Sequence, residues 1–528
     1  MTIAGYATDL SAFKDFEAAT TLGEMAGYVN TGAPALDTDY PIQGSQHVSA
    51  AMTKTGLGSI MADFGGNVSW TSGHVFLMWG VFLAAASVNT FALGGLRFLL
   101  GTDITTNYKG WKVGGRDFGR YPYGGWQNFA VDPETTADYT GGTLAGYRWA
   151  GIGVDCTAAI GKGVPVGLDC IRYGRGQLSV IDGDATAYGT FGGMASANDA
   201  LAARWGLFQD QSGSYIWKGL MSLGMTATAV DFRDSNATIV VADTQKVTSG
   251  FNRIEISHAS SRVDWTNVSI TALGTVSRGN FECVANADVN KDTCVFTDMG
   301  TFIYQAGSTI LNTTYRRTDK ITAGGATLTG CTIDSNRATT ALLWDVATNP
   351  NGKLDNTQFI SGGAGHAIEF GPNTPATIAL FGVGFSGYGA GASTDAAIYN
   401  NSGHAIEISI LGGGDVPTVR NGAGASTDVV TGQRNFGFTV EDAAGDPVTG
   451  YEWRLYDASA ADPGELGTEL DGEESATQSQ QNYAYTYAVD TAVVVQVMHA
   501  DFIEATVRST LIDADRDVAI VLQPEENT

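Results

Sequence analysis

The feature that most constrains this chain is a self-similarity of 26 residues between positions 320 and 414. Leu328, Leu354, Leu380 and Ile406 recur at that step, as do Ile333, Phe359, Phe385 and Leu411, and a third column holds Cys331, Thr357, Val383 and Ser409. A second short segment recurs within the repeat, as ALLW at 341–344, AIEF at 367–370, AAIY at 396–399 and AIEI at 405–408, and GHAIE stands at both 365–369 and 403–407. A fixed period of this length marks stacked units that each bury an apolar face on their neighbours. Apolar residues alternate with Thr, Asn, Ser and Asp and show no helical spacing, so the units are expected to coil as a right-handed parallel β-helix over 213–432. On that reading Leu328, Leu354, Leu380 and Ile406 form one interior row.

At 528 residues the chain exceeds the ~250–300 that one core supports, so further domains are required. Residues 1–45 carry modest helical signals (LSAFKDFEAATTLGEMAGYV) and then Pro34 and Pro41, and read as an arm or attachment segment. Residues 46–212 hold Trp70, Trp79, Trp111, Trp126, Trp149 and Trp205 among strand-like runs such as Leu96-x-Phe98-x-Leu100, which suits an N-terminal β-sandwich of jelly-roll or lectin-like type. From 433 to 528, alternating Phe436, Phe438 and Val440, a turn at Gly445-Asp446-Pro447, and later strands point to an Ig-like or transthyretin-like sandwich with an acidic loop at 457–475. The expected fold class is therefore all-β throughout.

Charged residues are 16% of the chain, with Asp+Glu 55 against Lys+Arg 29, a formal charge of −26 that makes nucleic acid a poor partner. Glycine at 69 without a Gly-X-Y period, beside 12 prolines, argues for many tight turns and against collagen. Five cysteines (Cys156, Cys170, Cys283, Cys294, Cys331) make neither a CxxC pair nor an even disulfide framework, which suits folding in a reducing cytoplasm. The N-terminus shows no basic region followed by an apolar one, so no signal peptide is expected. The apolar run VFLMWGVFLAAAS at 75–87 is shorter than the ~18–20 residues that span a bilayer, and is expected to be a buried strand rather than a membrane insertion.

Candidates for chemistry are few. Hydrolysis of a glycosidic bond needs paired carboxylates, and the repeats offer Asp355, Glu369 and Glu407, with Asp334, Asp345, His366 and His404 nearby in sequence. Recurrence of Glu369 and Glu407 in the duplicated GHAIE suggests one shared face, and equally suggests a copied structural strand. Asp288, Asn290 and Asp292, like Asp513, Asp515 and Asp517, have the i, i+2, i+4 oxygen spacing of a cation loop but lack its glycine and its closing glutamate. Trp111, Tyr121, Tyr123 and Trp126 cluster in KGWKVGGRDFGRYPYGGW, where rings and turn amides could hold a sugar, or simply fill a core. GxSxG, HExxH, Walker A and dinucleotide fingerprints are missing from any credible setting, and no cofactor is expected.

The text GSYIWKGLMSLG, then VDFRDSNATIVVAD at 230–243, then the stacked repeats, resembles the β-helical virion surface proteins of tailed bacteriophages, of tail-fibre, tailspike or head-decoration type. FTVEDAAGDPVTGYEWRLYD is similar to the carboxypeptidase-regulatory-like domains appended to phage structural proteins. The resemblance spans roughly 213–523. It implies a homotrimer assembled in the bacterial cytoplasm and displayed on the virion, with capsid or tail proteins and a host-surface glycan as partners. It lacks a recognisable C-terminal trimerisation or self-cleaving chaperone segment.

Overall fold

A computed structural model describes residues 2–524 apart from 4–5, 15, 18–21, 24–33, 40, 43, 52–55, 70, 83–95, 114–125, 145, 157–165, 181–188, 200–205, 212, 225–228, 245, 285, 364, 431–432, 460–465, 487–490 and 513–514. The chain is all-β with many parallel pairings, and divides into two compact units, Met1–Thr327 with Ile333–Ala341, and Leu328–Thr332 with Leu342–Thr528.

The first unit begins with two antiparallel sheets. One runs Tyr139–Gly141, Tyr108–Lys112, Leu96–Gly101, Tyr147–Cys156, Gly56–Val68, Leu22–Gly23; the other runs Gln127–Val131, Val75–Phe82, Val166–Gly174, His47–Ala50, Ala35–Asp37. Phe76, Met78, Phe129 and Leu168 from the second meet Ile60, Phe98, Trp111 and Ile152 from the first in a single core. Burying each such side chain is worth ~1.5–3 kcal/mol. Leu77 and Trp79, on the opposite face of Val75–Phe82, are buried as well. Cover on both faces explains why that strand reads as an unbroken apolar run. Among the described residues no helix is long and apolar enough to cross a membrane.

From Gln177–Val180 onward the pairing in this unit becomes parallel, apart from the antiparallel pair of Phe208–Asp210 with Tyr215–Trp217, and three columns of strands recur. Each strand pairs with the corresponding strand one rung later, which sets Leu178, Met221, Ile254, Phe281, Phe302 and Ile321 in one unbroken row. All six are buried. A second row holds Ile239, Ile270, Phe296 and Tyr315, and a third Trp265, Lys291 and Ile310. Between the last two columns the chain turns through a left-handed residue in every rung: Asn236, Asn267, Thr293 and Asn312, with φ of 59, 55, 55 and 48°. Asparagine tolerates this conformation because its short amide can bond locally, and Asn267 Nδ2 donates to Asn236 Oδ1 at 2.7 Å.

Two findings depart from the expected layout. The described residues of 1–45 include strands: Tyr6–Thr8 lies antiparallel on Gln177–Val180, and Ser11–Lys14 pairs with Val166–Gly174, while most of the stretch with helical signals lies outside the described residues. Among the described residues a helix, Phe191–Asp199, sets the buried Phe191 ring 5.0 Å from Phe232 and 5.5 Å from Trp265.

In the second unit, Leu328 N donates to Lys353 O and Asn356 N to Phe381 O, and Phe359 stands opposite Phe385 in paired strands, so the 26-residue step holds over these rungs. It then breaks. Leu380 pairs with Ile410 and Phe381 with Leu411, a step of 30, while Ile406 pairs with Thr427. Leu328, Leu354, Leu380 and Ile406 are all buried, but Ile406 has left the row and Ile410 replaces it. Leu411 likewise leaves the Phe385 column. Beyond 433, the sheets Gln480–Thr486, Gln433–Asp442, Arg516–Leu522 and Thr468–Glu473, Glu452–Asp457, Thr491–His499, Phe502–Leu511 share a core of Phe436, Phe438, Trp453, Leu455 and Val495.

Candidate functional site

Of the four aromatics that sequence brings together, Tyr121 and Tyr123 lie outside the described residues. Trp111 is fully buried between the first two sheets, its Nε1 donating to Thr135 O at 3.1 Å. Trp126 is half-buried on the far side of the other sheet, edge-on to the His47 ring at 5.0 Å.

That far side carries a buried polar row. Asn128 and Asp169 both stand opposite Trp79, the register pairing Leu168 with Val48 brings Asp169 next to His47, and His47 pairs with Asp37. Asp169 is wholly buried and accepts from Ile42 N (2.8 Å) and Cys170 N (2.7 Å). Cys170 has a φ of 48° at a break in the register, unusual for a side-chain-bearing residue. His47 Nδ1 is buried without a hydrogen bond; burial holds its imidazolium below the usual range, against the pull of Asp37 and Asp39. Lys218, also buried, donates Nζ to Asn128 O and, at 3.0 Å, to Asn128 Oδ1, and burial brings its pKa down to about 7. Asp169 thus fastens the loop at Ile42, and the Lys218–Asn128 bonds fasten the start of the parallel stack onto the sheet.

The repeat carboxylates are separated. Glu369 forms a cross-rung row with Tyr399 and Arg420. Asn401 Nδ2 donates to Glu369 Oε1 at 2.9 Å, the Arg420 guanidinium lies 5.0 Å from the Tyr399 ring centroid, and the His366 ring stacks on Tyr399 at 5.0 Å. His366 Nδ1 is 2.7 Å from Ala396 O. Glu407 sits on a different sheet, exposed and opposite Thr377. Asp355 is half-buried and accepts from Gly352 N at 2.8 Å; burial raises its pKa. The duplicated GHAIE thus occupies two different positions in the rung, because the longer rung shifts the second copy. A carboxylate, a phenol and a guanidinium in one row, with the Asn401 amide beside them, are groups whose chemistry suits hydrogen bonding to hydroxyls.

Asp288, Asn290 and Asp292 do project from one face, but cross-rung bonds absorb them. Asn290 Nδ2 donates to Asp264 Oδ1 (2.9 Å) and Asp288 Oδ1 (2.8 Å), and Asp292 Oδ1 accepts from Asn312 Nδ2 (3.1 Å). Arg262 bridges Asp264 at 2.7 Å and Asp288 at 3.8 Å. Among the described residues no group of three His, Cys, Asp or Glu could hold a metal ion. Asp513 lies outside them, and Asp515 Oδ1 accepts from Asn435 N at 2.8 Å.

Sequence reasoning missed Lys291. On the strand Asp288–Asp292 the alternation places Val289 and Lys291 inward. Lys291 Nζ lies 3.2 Å from the Phe281 ring centroid, 4.7 Å from Tyr304, 4.9 Å from Phe296 and 5.0 Å from Trp265, and donates to Tyr304 Oη at 2.9 Å. Tyr304 Oη in turn lies 2.7 Å from Tyr315 Oη. Burial pushes the ammonium well below its ordinary pKa, with the Cys294 and Cys283 thiols acting the other way. The period-two spacing of Val289 and Lys291 was the available signal.

Comparison with known proteins adds no relative: no family model matches the chain, and no curated protein does either.

Proposed function

We propose that this chain is a structural protein of a tailed-phage virion, displayed on the particle surface as a fibre, spike or decoration that adheres to host-surface glycans. In this reading the parallel stack is a right-handed β-helix between an N-terminal β-sandwich and an Ig-like C-terminal one, the chain is a homotrimer assembled in the bacterial cytoplasm, and other virion proteins hold it. The observation that carries the reading is the six-rung row from Leu178 to Ile321, a rod-forming core. Rods of this kind hold binding groups away from a particle, and several weak sites on one rod gain avidity without new contacts. The row of Glu369, Tyr399 and Arg420 is the proposed sugar contact.

Labelled protein is expected to bind host cells, and loss of that binding after enzymatic removal of surface polysaccharide tests the adhesive role. Release of reducing ends from the same polysaccharide would instead favour a depolymerase acting through Glu369. Neither binding nor release, with the protein present on purified particles, would favour a purely structural role as a capsid-decorating or tail-assembly component.

A further inference from the structure

We propose that the strand Phe502–Leu511 is a self-association edge, pairing antiparallel with the same strand of a second copy of this chain. The strand ends its four-stranded sheet: it pairs with Thr491–His499 on one side, and on the other, among the described residues, its backbone pairing is confined to its first residues, with Ile503 N donating to Gln523 O at 2.8 Å and the bridge from Phe502 to Pro524. An edge strand presents a row of open backbone donors and acceptors, and proteins usually blunt one with charged side chains, lysine above all, with proline or with a covering segment, although charges of opposite sign can instead be met by a matching partner. This edge has ten residues and contains neither lysine nor proline. Two of the large apolar side chains most exposed to solvent are Ile503 of this strand, at 53%, and Val521 of the strand Arg516–Leu522, at 48%.

The side-chain pattern selects the occupant. Ala505 and Val507 pack on the core, so Glu504, Thr506 and Arg508 project from the opposite, exposed face. Glu504 and Arg508 are four residues apart, about 13 Å along a strand, too far to pair within one chain. Neither makes an ion pair among the described residues; Glu504 accepts only from Gln496 Nε2. In an antiparallel pairing centred on Thr506, Glu504 of each copy stands directly opposite Arg508 of the other. Directly opposed unlike charges stabilise a strand pair, and a two-fold axis makes the arrangement twice over. An antiparallel partner must carry this same Glu-x-x-x-Arg order in its own direction, and the chain's own strand supplies it. The contact is independent of the adhesive reading and of how many chains the parallel stacks bring together.

Sedimentation of the full chain at micromolar concentration tests it. The Arg508→Glu variant is expected to sediment at a lower mass than the wild type, because two carboxylates then oppose each other at each end of the pairing. The double variant Glu504→Arg with Arg508→Glu is expected to regain the wild-type mass. Both positions are exposed, so thermal melting of the variants serves as the folding control. Equal mass for wild type and Arg508→Glu would overturn the proposal, as would a double variant that stays at the lower mass. Loss of glycan binding alone would count against the adhesive reading and leave this contact standing.

Discussion

Replacing Lys291 with methionine should stabilise the first unit. The amine stands in an inward position between Trp265 and Ile310, ringed by aromatic side chains, and the hydrogen bond described for it is to a phenol rather than a carboxylate. Taking an ammonium out of water costs several kcal/mol even after relaxation. Against this stand one hydrogen bond worth ~0.5–1.5 kcal/mol and a desolvated cation–π contact worth about 2 kcal/mol. Methionine fills a similar volume and its sulfur packs well on rings, while Tyr304 Oη keeps Tyr315 Oη. A gain of ~1–4 kcal/mol at pH 7 is therefore expected, by analogy with the range seen when buried ion pairs are exchanged for apolar side chains. The pH dependence has a definite sign. Because the folded pKa lies below the ordinary value of 10.5, the unfolded chain binds the extra proton between the two. Stability of the wild type must then rise with pH up to about 10.5, by at most ~1.4 kcal/mol per unit from this group. The advantage of Lys291→Met should shrink over the same interval. Urea unfolding at pH 7, 8 and 9, followed by tryptophan fluorescence, reads both quantities. A variant less stable than wild type by an amount that does not change with pH would refute the reasoning.

Phe359→Asp should unfold its rungs, since it removes burial worth ~1.5–3 kcal/mol and leaves a charge in the interior, whereas Phe385→Asp should be milder because Phe385 is half-buried; protease sensitivity of the second unit reads the difference. Asn267→Ala should cost ~1–2 kcal/mol in unfolding free energy through its left-handed corner, and Asn267→Gly less, so equal losses would contradict the corner argument. Tyr399→Ala and Arg420→Ala should weaken glycan binding in a cell-retention assay, while Glu407→Ala should leave it unchanged; the reverse order would dismiss the proposed row.

The parallel character was legible where rungs have equal length. Phe359 and Phe385 reveal the 26-residue step because no insertion separates their strands. In the first unit the same corner residue recurs at unequal steps, 31 from Asn236 to Asn267 and then 26 and 19, so an alignment at fixed spacing passes over it. Ile406 was misplaced for the same reason: the longer rung before it moves the strand by four residues. Trp111 and Trp126 are close in sequence yet face opposite sides of different sheets, and nothing local to KGWKVGGRDFGRYPYGGW records that separation. Lys291 was hidden by expectation, since a lysine is ordinarily assigned outward. The polar row of Asn128, Asp169 and His47 depends on pairings between strands distant in the chain.

A coil built by repeating one parallel addition has no length of its own; its first turn offers the next chain the same template its last one does. Here Tyr6–Thr8 runs the opposite way against Gln177–Val180, and Phe191 covers the aromatic interior beside it. Reversing strand direction at the threshold converts a surface fit for continued parallel addition into a terminus, so this short antiparallel strand bears on whether a further copy can extend the stack from that side.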